Sequence, residues 1–342
     1  MINLTTSNSN HLCKKLVVID GIPGCGKTML SSVIGTFSKV EALKYSYEIE
    51  NFCQLVDLQL MHSNTAEQLI RKQLDYLLYN GMMGREMNFR YSDISSVFNQ
   101  PNKLKNIKRL FSKGDEYVPA KILKEEPILH LASHGLAGIS SPLFNAMPSG
   151  MLFINMKRHP LFLLRQNIWN MSNLINSQRS FWLYYSHNNE SYPFFYLNNE
   201  KLFTSANSKE KAIYFINWFL SKQKEALWIK NNTSYYELTF EDFVLDPFKY
   251  VEEICFRLGT ETTSLTPRIL KRENLPRKLL TDSRVRPIYK RVGWIKSNSE
   301  NVIDELKEMR LWACEGISHE AKNLLDSICQ EYEDNMSLRI NY

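Results

Sequence analysis

One eight-residue stretch limits what this chain can fold into more than any other: Gly21-Ile22-Pro23-Gly24-Cys25-Gly26-Lys27-Thr28. It follows the apolar run Leu16-Val17-Val18-Ile19-Asp20 and precedes a helix-like stretch that begins Met29-Leu30. A strand, a glycine loop and a helix in that order cradle phosphate. Glycines let successive backbone N–H groups turn toward one anion, and the helix N-terminus adds the positive end of its dipole. Lys27 brings a mobile ammonium to the terminal charged group. Cys25 sits inside the loop, where its small size is what matters. The loop predicts a nucleotide phosphate without choosing the nucleotide. The plain alternative is a tight strand–helix turn with an incidental Lys-Thr.

The rest of the chain says which classes to set aside. Its 342 residues allow one large α/β domain or two modest ones, and 44% hydrophobic against 23% charged residues is ordinary for a globular chain. A net charge of +6 suits a polyanionic small ligand as well as nucleic acid, so charge alone decides little. Cys13, Cys25, Cys53, Cys255, Cys314 and Cys329 form no CxxC pair, which argues against a zinc site or a redox motif. Met1 to Asn10 is polar and lacks a basic segment followed by a long apolar one, so no signal peptide is evident. No apolar run approaches the roughly 18 residues of a membrane helix. These features lead us to expect a cytoplasmic protein.

Residues 1–14 read as a loose polar tail and 15–342 as a single domain. Strands are expected at Leu16–Asp20, Pro127–Leu131, Met151–Met156 and Tyr235–Phe240. Helices are expected over 64–80, from Pro160 to about Asn176, over 208–230, and over 247–258 with a stop at Gly259. Residues 300–335 are mostly helical in pattern. Apolar strands alternating with helices predict an α/β fold: a parallel sheet covered by helices on both faces, a three-layer sandwich. Residues 83–118 read as a solvated basic helix face rather than a nucleic-acid patch. Residues 177–205, rich in Tyr, Phe, Trp and Asn, read as a long loop or lid that lines an acceptor pocket, or as plain core packing.

Parallel sheets bind ligands beyond the carboxyl ends of their strands. Besides the glycine loop, the strand ends here carry His134, Arg158 and Glu241-Asp242. Arg158 closes a buried strand, where an unpaired charge is costly, so it meets either an anionic ligand or an acid. His159 precedes Pro160 and starts a helix, and His130 lies inside an apolar strand as a structural residue.

In this order the motifs resemble the PAPS-dependent sulfotransferases. The likeness rests on the glycine loop, the strand ending in His134, and the strand ending Arg158-His159-Pro160. It extends to Tyr236-Glu237-Leu238-Thr239-Phe240-Glu241-Asp242-Phe243 with Asp246-Pro247, and to Lys290-Arg291-Val292-Gly293-Trp294. The resemblance implies a P-loop-type sheet and transfer of a sulfuryl group from PAPS (3′-phosphoadenosine 5′-phosphosulfate) to a hydroxyl or amine. Residues Gly21, Pro23, Gly24, Cys25, Gly26, Lys27 and Thr28 would hold the 5′-phosphosulfate, with Lys27 neutralising the leaving oxygen. Arg158, helped by Gln166, Arg291 and the backbone at Gly293, would hold the 3′-phosphate, for which a planar guanidinium fork is apt. His134 would be the general base, and an imidazole titrating near about 6.5 suits proton removal at neutral pH. No metal is implied. The implied acceptor is a small molecule or a carbohydrate, with no nucleic-acid or membrane partner, and a homodimer stays open.

Two positions differ from that family's pattern: the loop ends in a full Gly-Lys-Thr, and Gln166 stands where the family places a Ser. The rival readings are a Mg-dependent P-loop kinase or ATPase and a nucleotide-gated binding protein. The first takes Lys27 and Thr28 well but needs a carboxylate at a neighbouring strand end, for which Asp242 is the candidate. The second has no use for a His beside the loop.

Overall fold

The computed structural model of the chain describes residues 10–278 and 301–336 together with Leu280 and Gly293, apart from positions 92, 94, 95, 102, 176, 179 and 181. The first half runs β1 (Lys15–Asp20), α1 (Lys27–Ile34), β2 (Lys44–Tyr45), α2 (Tyr47–Asp57), α3 (Ser63–Met83), α4 (Lys103–Arg109), α5 (Tyr117–Glu125), β3 (Ile128–Ala132) and α6 (Ser141–Ala146). It continues with β4 (Met151–Lys157), α7 (Pro160–Asn173), β5 (Tyr184–His187), β6 (Glu190–Pro193), α8 (Glu200–Ser205), α9 (Ser208–Glu225) and α10 (Leu227–Lys230). The last part holds β7 (Tyr235–Thr239), α11 (Phe240–Leu245), α12 (Pro247–Leu258), α13 (Thr266–Arg272), α14 (Val302–Cys314) and α15 (His319–Met336).

Five strands form one sheet in the order β2-β3-β1-β4-β7, every neighbouring pair parallel. Leu16 lies opposite Leu129 on one side and Met151 on the other, so β1 is the central strand. All five residues of β3 are buried, as are the last five of β1 and the first six of β4. Successive side chains on a strand point to opposite faces, so continuous burial means both faces are covered. That is the three-layer α/β arrangement the alternating pattern predicts. The strands are β-branched and Leu-rich because neither face meets water.

Helix boundaries follow local chemistry. Asn207 and Glu210 make a reciprocal capping box at the start of α9. Gly259 ends α12 in the left-handed region at φ 59°, as its place in the sequence suggests. The expected 208–230 helix is broken at Ala226, whose ψ of 60° leaves the helical well, and nothing in the local sequence signals that break.

Three expectations change. Residues 10–14 are docked, not loose: the backbone N–H groups of Leu12 and Cys13 donate to Asp75 of α3 at 2.9 and 2.8 Å, and Cys13 is buried. Within 83–118, α4 is not a purely solvated face, because Arg109 is buried and donates to the equally buried Glu41. The 177–205 stretch is not an open lid: it holds the β5–β6 hairpin and buried Phe194, Phe195 and Tyr196. The Phe195 ring lies 4.9 Å from that of Phe215 on α9, edge to face. Most of these rings pack against α9, where they gain more than from water, while Ser180 and Trp182 of the same stretch line the large cavity described below.

Candidate active site

The strand order sets the site. With β1 between β3 and β4, the loops after these three strands meet at one edge of the sheet. The loop after β1 turns through left-handed backbone at Gly21 (φ 141°), Gly24 (φ 98°) and Gly26 (φ 102°). Space demands glycine as well as handedness. A Cβ on Gly21 would stand 2.3 Å from the Met156 carbonyl oxygen, and one on Gly26 2.5 Å from the Phe240 ring. Gly26 also starts α1, so the helix N-terminus faces the loop. Lys27 is buried and its Nζ donates to the Gly21 carbonyl. The loop is gripped from outside: Asn167 Nδ2 of α7 donates to the Pro23 carbonyl at 2.9 Å, and Arg158 Nη1, just past β4, to the Gly24 carbonyl at 3.1 Å.

Asp20, the last residue of β1, is fully buried and organises the neighbouring loop. Its carboxylate accepts hydrogen bonds from Ser133 Oγ (2.8 Å) and from the backbone N–H groups of Gly135 (2.9 Å), Leu136 (2.8 Å) and Ala137 (2.8 Å). These bonds surround His134 and aim it. The imidazole stacks on Tyr45 (centroids 5.7 Å, planes 19° apart) and on Tyr47 (5.8 Å, 5°). Its Nδ1 lies 3.0 Å from Oε1 of the buried Glu50. A carboxylate on Nδ1 favours the tautomer with a proton there, which leaves Nε2 able to take one from a substrate.

A cavity of about 510 Å³ joins the two ends. Pro23, Gly24, Gly26, Lys27, Thr28, His134, Arg158 and Gln166 all line it, so most of the residues singled out from sequence converge. Gly21 and Cys25 lie behind the loop, and burial pushes the Cys25 thiol pKa up, which keeps it a small inert filler. Arg291 falls outside the described residues. Gly293 is exposed beside Trp312 of α14 and does not line the cavity.

Two further guanidiniums, Arg165 and Arg277, line the same space. Among the described residues, Lys27 and Arg158 with these two make four lining cations against one lining acid, Glu273, which itself pairs with Arg272 at 2.9 Å. The arginines are shelved on aromatic faces. Arg158 lies 4.0 Å from the Phe240 ring centre and 4.6 Å from that of Phe162, and Arg277 lies 5.3 Å from Phe240. The turn that carries Arg158 is braced from below. Glu241 accepts the His159 backbone N–H at 3.2 Å through one oxygen and the Tyr332 hydroxyl at 2.6 Å through the other. Burial and Glu241 raise the Tyr332 pKa well above its usual value, so it stays a donor.

The remaining candidates have structural work. His159 caps α7 by accepting the Leu161 N–H and meets Glu333 at 3.0 Å. His130 is fully buried inside β3, and burial pushes its pKa down to about 4. Asp242 sits at the start of α11, takes the cap of Thr239 on its own N–H, and does not line the cavity. The strands flanking β1 end at Ser133-His134 and at Arg158, which is not the carboxylate arrangement a Mg-dependent phosphotransferase uses.

Sequence reasoning missed Asp20, Tyr45, Tyr47, Glu50, Arg165 and Arg277. Only Arg277 left a signal, as part of the strongly basic stretch 268–291 with nine Lys or Arg against two acids.

No protein-family profile and no curated protein matches the chain. Among solved structures it is similar to the sulfotransferase domain from the curacin biosynthetic pathway, at 12% identity over 93% of this chain and 97% of that one, with a TM-score of 0.44. It is similar also to the sulfotransferase domain of the Synechococcus olefin synthase, at 13% identity over 91% of this chain and 98% of that one, TM-score 0.37. A sulfotransferase from Mycobacterium avium matches at 14% identity over 95% of this chain and 77% of that one, TM-score 0.42. At such identities and scores the side chains described above, not the likeness, have to carry any statement about chemistry.

Proposed function

We propose that the chain is a sulfotransferase that moves the sulfuryl group of PAPS to a hydroxyl or amine of an acceptor. One observation carries this reading: a single cavity holds the phosphate loop, four cations and an imidazole backed by a buried carboxylate. Four cations fit a donor with phosphate groups at both ends of its nucleoside better than a metal-neutralised triphosphate. The loop N–H groups, Lys27 and Thr28 hold the phosphosulfate end, and Arg158 and Gln166, with Arg165 and Arg277, hold the 3′-phosphate end. His134 Nε2 takes the proton of the acceptor as its oxygen or nitrogen bonds to sulfur. The S–O bond to the phosphate breaks in the same direction, and Lys27 offsets the charge that gathers on the departing oxygen. Glu50 steadies the imidazolium that results.

The reading is tested by calorimetric titration with 3′-phosphoadenosine 5′-phosphate, with and without Mg²⁺, and separately with ATP plus Mg²⁺. We expect tight binding of the bisphosphate that ignores the metal. Binding of ATP only with Mg²⁺ overturns sulfuryl transfer in favour of a phosphotransferase.

A further inference from the structure

Helix α15 packs by one stripe. Ala321, Leu325, Ile328 and Cys329 are buried at helical spacing, and Tyr332 continues the stripe one turn further on. An aliphatic side chain would finish such a stripe at less cost, because a phenol hydroxyl carried inward needs a partner. Tyr332 finds one in Glu241, at 2.6 Å. Glu333, the next residue, meets His159, which lies 174 residues upstream, at 3.0 Å. Two adjacent side chains of α15 thus reach the turn between β4 and α7.

The bonds there close on His159. Its Nδ1 accepts the Leu161 N–H at 3.3 Å, so the ring proton sits on Nε2 and is donated to Glu333 Oε1. Arg310 of α14 lies 3.4 Å from the same oxygen and holds it in place. The His159 backbone N–H donates to one oxygen of the buried Glu241 at 3.2 Å, and Tyr332 takes the other. The Tyr332 and His159 rings meet edge to face, centroids 5.4 Å apart. Backbone and side chain of His159 are therefore both tied to α15, and Arg158 is the residue before it. The aromatic shelves under Arg158 share these ties: Phe240 precedes Glu241 in α11, and the Phe162 ring lies 6.3 Å from that of His159.

A guanidinium grips phosphate through two parallel bonds, so its hold weakens steeply when the fork is misplaced. Neither Tyr332 nor Glu333 lines the cationic cavity. We propose that α15 is the positioning element for the 3′-phosphate end of the donor: Tyr332 and Glu333, without touching the ligand, set the grip of Arg158 by fixing the turn in which it sits. The assignment rests on the sulfuryl-transfer reading above and adds to it two positioning residues and the helix that carries them.

The test compares two ligands by calorimetry on the full chain: 3′-phosphoadenosine 5′-phosphate and adenosine 5′-phosphate, which lacks the 3′-phosphate. Tyr332→Phe removes only the hydroxyl. We expect it to weaken the bisphosphate about tenfold and the monophosphate by less than about twofold. Glu333→Ala should do the same. Glu333→Gln should keep the wild-type affinities, because its amide oxygen accepts the same bond from His159. With Arg158→Ala already in place, Tyr332→Phe should cost less than about twofold in bisphosphate affinity, since two changes that act through one group do not add. Equal weakening of both ligands overturns the assignment, because a role in the fold alone loosens the whole site. Unchanged bisphosphate affinity in Tyr332→Phe and Glu333→Ala overturns it as well, and leaves the sulfuryl-transfer reading standing. Failure of the wild-type chain to bind the bisphosphate overturns that reading itself, and the assignment falls with it.

Discussion

The glycine-loop end and the His134 end of the cavity grow from adjacent strands, yet they are held by opposite means. The glycine loop is eight contiguous residues whose shape is fixed by glycine backbone and by the start of α1. The His134 loop has little shape of its own. It is held by Asp20 from more than a hundred residues upstream, by Glu50 from α2, and by two tyrosines flanking the start of α2. One end is coded locally and the other is assembled from distant parts. Changes at the first should therefore damage donor binding and chemistry together, and changes at the second should spare donor binding.

The largest effect is expected at Lys27. Lys27→Met removes the buried ammonium that faces the loop, and the rate constant kcat/KM should fall about 10³-fold, the scale of losing one preorganised charge-stabilising group. Bisphosphate affinity should fall with it. His134→Ala should lower kcat by about 10²- to 10⁴-fold, the usual range for a positioned base, while calorimetry finds the bisphosphate bound as tightly as before. Equal losses of donor affinity in both variants would erase the distinction between the two ends.

The same contrast explains what could be read from the sequence. Strand, loop and helix around residues 16–34 follow from local chemistry, because glycine handedness and apolar runs are written in neighbouring residues. Arg158 and His134 were legible as polar residues closing apolar strands, where their side chains can only face a ligand edge or a buried partner. Glu50 was not, because a carboxylate on an amphipathic helix has no mark that distinguishes a solvated residue from one buried against an imidazole. Arg165 sits in the middle of an apolar helix run and is 1% exposed, and only the packing of α7 onto the loop shows that it lines the cavity. The aromatics of 181–196 left pocket lining and core packing both open, since aromatic richness does not say whether rings face a pocket or α9; Trp182 lines the cavity while Phe194, Phe195 and Tyr196 are buried.

Asp20 offers a middle-sized test of the assembled end. Asp20→Asn keeps the shape but loses a charged acceptor shared by four donors, each such bond being worth about 1.5–3 kcal/mol. Stability in urea should drop by about 2–4 kcal/mol, and kcat should fall with donor affinity retained. Glu50→Gln should be milder still. The amide nitrogen or oxygen can still meet Nδ1, but the charge that steadies the imidazolium is gone, so kcat should fall about tenfold with an unchanged KM for PAPS. A KM effect as large as the kcat effect would place Glu50 in donor binding instead of behind the base.

The smallest effect on activity is expected at His130, which lies within β3 four residues before His134 in the loop that follows, and is different in every physical respect. His134 opens onto the cavity, whereas His130 is sealed in the core with its pKa pushed down to about 4 from an ordinary 6.5. Above pH 6.5 neither the folded nor the unfolded chain protonates it, and it leaves stability unchanged. Between about 6.5 and about 4 the unfolded chain takes up a proton that the folded core refuses, so folding stability falls as pH falls. At 1.36 kcal/mol for each unit of difference the full loss is about 3 kcal/mol, reached near pH 4. Urea midpoints measured at pH 7 and pH 4.5 for the wild type and for His130→Leu separate this from other acid effects. The variant should lose less stability on acidification than the wild type, while its turnover at pH 7 stays within about twofold. An identical acid loss in both proteins would show that His130 is already paired or hydrated in the core, and the contrast between the two histidines would then rest on His134 alone.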